Sequence, residues 1–178
     1  RRGIAVDAGF VPYWLGSAQA RMLAAASRRD AGGDPGEICA AAEADCRRAI
    51  ELAPGHAEAW LLLGYVGLER ANRARDRGLE ADRAYQEADE AYVEALRLEP
   101  RDAEGWRTRG LLQRNWGSGK MARGEDPEEN FRGAEENFSR SLEREPRDPE
   151  TWRVRGELMA AWGTFRSLRR EDPAERFL

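Results

Sequence analysis

Histidine and cysteine are almost missing from this chain: His56 stands alone, and Cys39 and Cys46 are the only two thiols. A structural zinc site takes four Cys or His ligands, so that supply nearly excludes one. Lysine is as scarce, with Lys120 set against 28 arginines. Long apolar runs are lacking too. The mid-chain stretch free of charge, Ala59–Leu68, is ten residues, about half of what a membrane-spanning helix needs, and no membrane helix is expected. Excess positive charge is absent: 33 acidic residues outweigh 29 basic ones, for a net charge of −4, whereas polyanion-binding domains concentrate Lys and Arg. The arginine preference fits a GC-rich coding bias; a functional reading, bidentate recognition of carboxylates, stands beside it. The chain starts at Arg1 without a signal-peptide pattern and is expected to be a piece of a longer protein.

What is present is a period. Trp14, Trp60, Trp106 and Trp152 are each 46 residues apart, as are Pro54, Pro100 and Pro146, Gly64, Gly110 and Gly156, and Trp116 and Trp162. The strings LAPGHAEAWLLLG, LEPRDAEGWRTRG and EPRDPETWRVRG occupy equivalent places, and so do GEDPEENF and REDPAERF. Repeats of about 10–55, 56–101, 102–147 and a truncated 148–178 follow, with 1–178 forming one solenoid.

Each repeat predicts two helices of roughly 17–20 residues, about 25–30 Å long. Asp102 and Asp148 are expected N-caps, with Pro149 at the first helical position. His56 stands at the same place and is read as a cap, not a ligand. Trp60, Leu63, Gly64, Gly67 and Ala71 recur at helical spacing. Polar, glycine-bearing breaks are expected near 30–34, 76–79, 122–126 and 169–172, with second helices opened by Asp34-Pro35, Glu80-Ala81, Asp126-Pro127 and Asp172-Pro173. Pro54, Pro100 and Pro146 close the repeats. Gly64, Gly110 and Gly156 are expected where paired helices approach most closely, with aromatic residues filling the space between repeats and Cys39 a small core residue where other repeats carry Tyr85, Phe131 and Phe177. Trp152, Met159 and Trp162 are expected to be partly exposed.

These residues resemble the tetratricopeptide repeat (TPR). Its pattern of Trp, Leu-Gly, Ala, an aromatic, Ala and Pro is met by Trp60, Leu63-Gly64, Ala88, Tyr92, Ala95 and Pro100 in the second repeat. Trp106, Gly110, Ala134, Phe138 and Pro146 meet it in the third; Trp14, Ala18, Ala42, Cys46, Ala49 and Pro54 in the first; Trp152 and Gly156 in the fourth. The 46-residue unit is about twelve residues longer than the family's 34, lengthening both helices. Arg109 and Arg155 replace the family's Leu. The long form is similar to arrays attached to bacterial serine/threonine kinases. The resemblance implies an all-α, right-handed α-solenoid of stacked antiparallel helix pairs.

No catalytic site is assembled by these residues. Gly117-Ser118-Gly119-Lys120 lacks the spacing of a phosphate loop and is read as a helix bend or break. Cys39 and Cys46, seven apart on one helix, stand about 10 Å apart along it, too far for a disulfide. Glu128-Glu129 and Glu135-Glu136 read as helix starts or solvated faces. No enzyme activity, metal or cofactor is expected.

The resemblance further implies a concave face lined by first helices that holds peptides. By position its residues are Leu15, Gln19 and Met22, then Leu61, Tyr65 and Leu68, then Arg107, Leu111, Arg114 and Asn115, then Arg153 and Glu157. An acidic or C-terminal peptide could pair with the arginines; alternatively these pair internally with Glu104 and Glu150. The Lys/Asn carboxylate clamp of the chaperone-binding members is replaced here by Leu15, Leu61 and Arg107 with Gln19, Tyr65 and Leu111. The leading expectation is a cytoplasmic protein–protein interaction scaffold, part of a larger signalling protein. A self-assembly module working through the solenoid ends, and more remotely an RNA-binding helical repeat, are the alternatives; the net negative charge argues against the last.

Overall fold

A computed structural model describes residues 9–171, and these form seven α-helices with no strand among them. They are α1 (Val11–Asp30), α2 (Gly36–Leu52), α3 (Ala57–Asp76), α4 (Asp82–Leu98), α5 (Ala103–Ala122), α6 (Glu128–Arg144) and α7 (Pro149–Glu171). First helices of 20 residues alternate with second helices of 17. The chain falls into two compact units, divided between Pro100 and Arg101. In unit 1, α1 pairs with α2 and α3 with α4, while α3 also packs on α2 and α1. In unit 2, α5 pairs with α6 and both meet α7. This is the stacked-pair architecture of a TPR-like α-solenoid.

The turns inside the pairs share one construction. Gly32, Gly78 and Gly124 have φ of 74°, 68° and 77°, values that a side chain with a Cβ disfavours. Their N–H groups donate to Arg29, Arg75 and Met121, and those of the next residues, Gly33, Leu79 and Glu125, reach back to Arg28, Ala74 and Lys120 at 2.9 Å. These two bonds satisfy carbonyls that the helix end would otherwise orphan. The same period would place the fourth such residue at Arg170. There α7 continues through Glu171 and is 23 residues long, so the break expected from 169 is not formed before Glu171. The expected cap Asp172-Pro173 and Phe177 lie outside the described residues.

The starts are less uniform than the sequence suggested. Asp148 caps α7 fully, accepting from the N–H groups of Glu150 and Thr151 at 3.1 Å. Asp102 and His56 occupy the cap positions of α5 and α3 in extended conformations, but neither side chain makes a cap hydrogen bond. Asp34 and Asp126 accept from the N–H two residues on, at 3.0 and 2.8 Å, just before α2 and α6. Nor does Gly117–Lys120 break its helix; it lies inside α5. Gly117 serves a different purpose, since a Cβ there would meet the Phe131 ring at 2.7 Å.

That relation recurs through the interior. A Cβ on Gly64 would meet Tyr92 at 2.8 Å, and one on Gly110 would meet Phe138 at 2.5 Å. The rings are fully buried, and each packs against the bare backbone of the facing helix. Where the first repeat has Ala18 instead of glycine, it has Cys46 instead of an aromatic, and both are buried in one cluster. The first repeat thus gains a methyl on its first helix and loses a ring from its second, so that the larger side chain faces the barer helix only where that helix carries glycine. Gly156, expected at a close approach, has nothing within 4 Å of where its Cβ would be.

Candidate partner-binding faces

The first helices of unit 1 present one face that two polar bridges span. Gln19 Nε2 donates to Glu58 Oε1 at 2.9 Å, and Arg29 pairs with Glu69 at 2.5 Å. Ten residues separate Gln19 and Arg29, about 15 Å along α1. Leu61 is half-buried on this face and Tyr65 is 39% exposed. Leu15 does not belong to it: it is 4% exposed in a cluster with Ala49 and Ala59 and holds α1 to its neighbours. Met22 and Leu68 are likewise buried. Beside Tyr65 a cavity of about 440 Å³ opens, with Met22, Ala25 and Cys39 among its lining residues.

In unit 2 the arginines are tied up within the chain. Arg107 approaches Glu104 at 3.5 Å and Asp148 at 3.9 Å. Arg153 pairs with Glu150 at 2.5 Å and with Glu157, and Glu157 also receives Arg114 from α5. Arg114 further donates to Asn115 Oδ1 at 3.1 Å. The ion pairs with Glu104 and Glu150 that the sequence allowed are therefore formed, and an incoming carboxylate would compete with them. The Thr151 hydroxyl holds the Asp148 carboxyl below the usual range, helped by the backbone N–H groups and by Arg107. Arg153 does the same to Glu150. Leu111 is turned inward and packs on the Phe131–Phe138 cluster.

The signature tryptophans have varied settings. Trp60 donates its indole N–H to the Pro54 carbonyl at 2.8 Å and Trp152 to that of Pro146 at 2.9 Å. Trp106 is 7% exposed, roofed by Arg140 and Arg144 at 4.6 and 5.6 Å from its ring. Trp14 meets Tyr13 edge-on at 5.1 Å. Trp152 is 51% exposed and Met159 43%, while Trp162 is half-buried and donates to Glu128 at 2.7 Å. The tryptophan–proline hydrogen bond was not anticipated, although the constant six-residue gap between Pro54 and Trp60 and between Pro146 and Trp152 carries it.

Among the described residues, no group of three or more His, Cys, Asp or Glu is placed to hold a metal ion. No described helix is long and apolar enough to cross a membrane. Cys39 and Cys46 are free and buried; burial pushes the Cys46 thiol up to about 12, with the Asp45 charge adding to it.

Against solved structures, the chain is similar in fold to the TPR domain of Arabidopsis OM64. The TM-score is 0.53 at 14% identity, over 83% of this chain and 98% of that one. No protein-family model matches the sequence, and no curated protein sequence does.

Proposed function

We infer that the chain is a non-catalytic protein–protein interaction scaffold that binds a peptide or partner protein along its first-helix faces. The observation that carries this reading is the face of unit 1, where Leu61 and the 39%-exposed Tyr65 stand beside a cavity of about 440 Å³. Exposed aromatic surface next to a concavity is the usual anchor of a protein interface. In this reading the four repeats, 10–55, 56–101, 102–147 and 148–178, run as one solenoid within a larger signalling protein. A cytoplasmic location is part of the same reading. The internal pairs of Arg107, Arg114 and Arg153 favour the unit 1 face over an arginine-led grip on an acidic peptide.

A pull-down with the purified chain tests it, run beside a Leu61→Ser/Tyr65→Ala variant of unchanged helicity. A protein held by the wild type and lost by the variant supports the scaffold and its face. Equal recovery by both rejects the face. Recovery of further copies of the chain alone favours self-assembly, which has an observation of its own: Trp152, Met159 and Leu168 leave large apolar surface exposed on α7. Mass rising with concentration would mark that outcome.

A further inference from the structure

Helices α1–α2–α3 and α5–α6–α7 are equivalent stretches offset by two periods of 46 residues, so unit 2 shows what the corresponding space in unit 1 can hold. In unit 2 aromatic rings occupy the space. Phe131 and Phe165 belong to one buried cluster, with Met121 and Trp162 packed on it. The Phe131 and Trp162 rings are 6.3 Å apart. Arg166 lies 4.2 Å from the Trp162 ring and Arg169 lies 5.4 Å from the Phe165 ring. Arg169 also pairs with Asp126 at 3.2 Å.

Unit 1 keeps the rim and drops the rings. Arg77 pairs with Asp34 at 3.0 Å, the counterpart of Arg169 with Asp126. Cys39 stands where unit 2 has Phe131, Arg73 where it has Phe165, and Arg29 where it has Met121. The volume the missing rings would fill remains as the cavity of about 440 Å³, a size typical of ligand sites. We propose that this cavity receives an aromatic side chain presented by a partner peptide, the ring entering where Phe131 and Phe165 sit in unit 2. This rests on the scaffold reading and names the chemistry of its ligand.

Charge supports a neutral ring over an anion. Each cation at the rim already has a carboxylate: Arg29 has Glu69, Arg73 and Arg77 share Asp34, and Arg75 has Asp76. A phosphate or carboxylate would have to break those pairs. A ring needs only the apolar floor and the guanidinium groups, the same partners that unit 2 gives its own rings.

The test reads the cavity without a partner. Met22, Met121 and Met159 are the three methionines, and only Met22 lines the cavity. With methyl-labelled methionine, NMR titration with N-acetyl-phenylalaninamide should move the Met22 signal by ring current and leave Met121 and Met159 in place. N-acetyl-leucinamide should move it far less. Cys39→Phe plugs the cavity and should abolish the response; Cys39→Leu serves if that variant does not fold. No Met22 shift in the wild type overturns the proposal, as does a shift that survives the plug or one that leucinamide reproduces. A Met22 signal that moves with protein concentration alone assigns the cavity to a second copy and also overturns it. Since no partner is used, a failure here is distinct from a failure of the pull-down.

Discussion

Gly110→Ala and Gly156→Ala place the same methyl at the same point of the 46-residue period, within one compact unit. Gly156→Ala should stabilise the chain and Gly110→Ala should not. Replacing a mid-helix glycine by alanine stabilises a helix by about 1 kcal/mol. At Gly156 nothing stands within 4 Å of the new methyl, so that gain should appear whole. At Gly110 the methyl would fall 2.5 Å from the Phe138 ring, and ordinary contact begins at 3.4 Å, so the ring must withdraw by the difference. Phe138 is fully buried and has no free direction to take. Overpacking of this kind costs about 1–3 kcal/mol, which offsets or outweighs the propensity gain. The two variants should therefore differ by roughly 1–3 kcal/mol, several degrees in Tm for a chain of this size. Urea unfolding followed by far-UV circular dichroism measures both. A further arm combines Gly110→Ala with Phe138→Cys, recreating the Ala18–Cys46 pair of the first repeat. The double variant should be more stable than the sum of the single effects allows, because the smaller side chain removes the clash. If Gly110→Ala stabilises the chain as much as Gly156→Ala does, the packing argument is refuted.

Two other predictions concern the tryptophans and the rim. Trp106→Ala removes a side chain that is 7% exposed and should cost about 3–5 kcal/mol. Trp152→Ala, at a 51%-exposed site, should cost less than about 2 kcal/mol including its hydrogen bond to Pro146; equal losses in urea unfolding would contradict this ordering. The Asp34 carboxyl is held down to about 2 by Arg77 first, then by the Gly36 N–H and Arg73. A lowered value means that the carboxylate stabilises the fold above its ordinary 3.8 and that this contribution is lost as the pH falls towards about 2. Asp34→Asn should thus weaken the chain at neutral pH and match the wild type at the acid end. A gap in urea midpoints that widens on acidification would show the sign to be wrong.

The length and pairing of α1 to α6 were legible because they repeat. Three tryptophan intervals and two proline intervals of one length mark the same helical positions again and again, and a period of that kind is independent of tertiary detail. What was not legible depends on which side chain meets which across helices. Leu15 belongs by position to the first-helix face, yet it turns into the cluster with Ala49 and Ala59. Asp102 and Asp148 occupy equivalent places, but only Asp148 caps, with Thr151 rather than Gly105 at the third helical position to share its carboxylate. The substitution of Cys39 for an aromatic was visible; that no neighbour grew to fill the space was not, since Arg73 and Arg77 reach instead to Asp34 at the rim.

The reciprocal sizing of facing helices also limits how the gene could be recombined. A crossover that joined α1 to α4 would set the Ala18 methyl against the ring of Tyr92, and one that joined α3 to α2 would leave Gly64 facing Cys46 across a void. Exchanges inside a helix pair thus carry a penalty of steric overlap or of empty volume. Breakpoints next to Pro54 or Pro100 move both members of a pair together and leave these contacts inside the pair intact. For the contacts within a pair, the hairpin bounded by prolines is therefore the smallest segment that can be exchanged without mismatch.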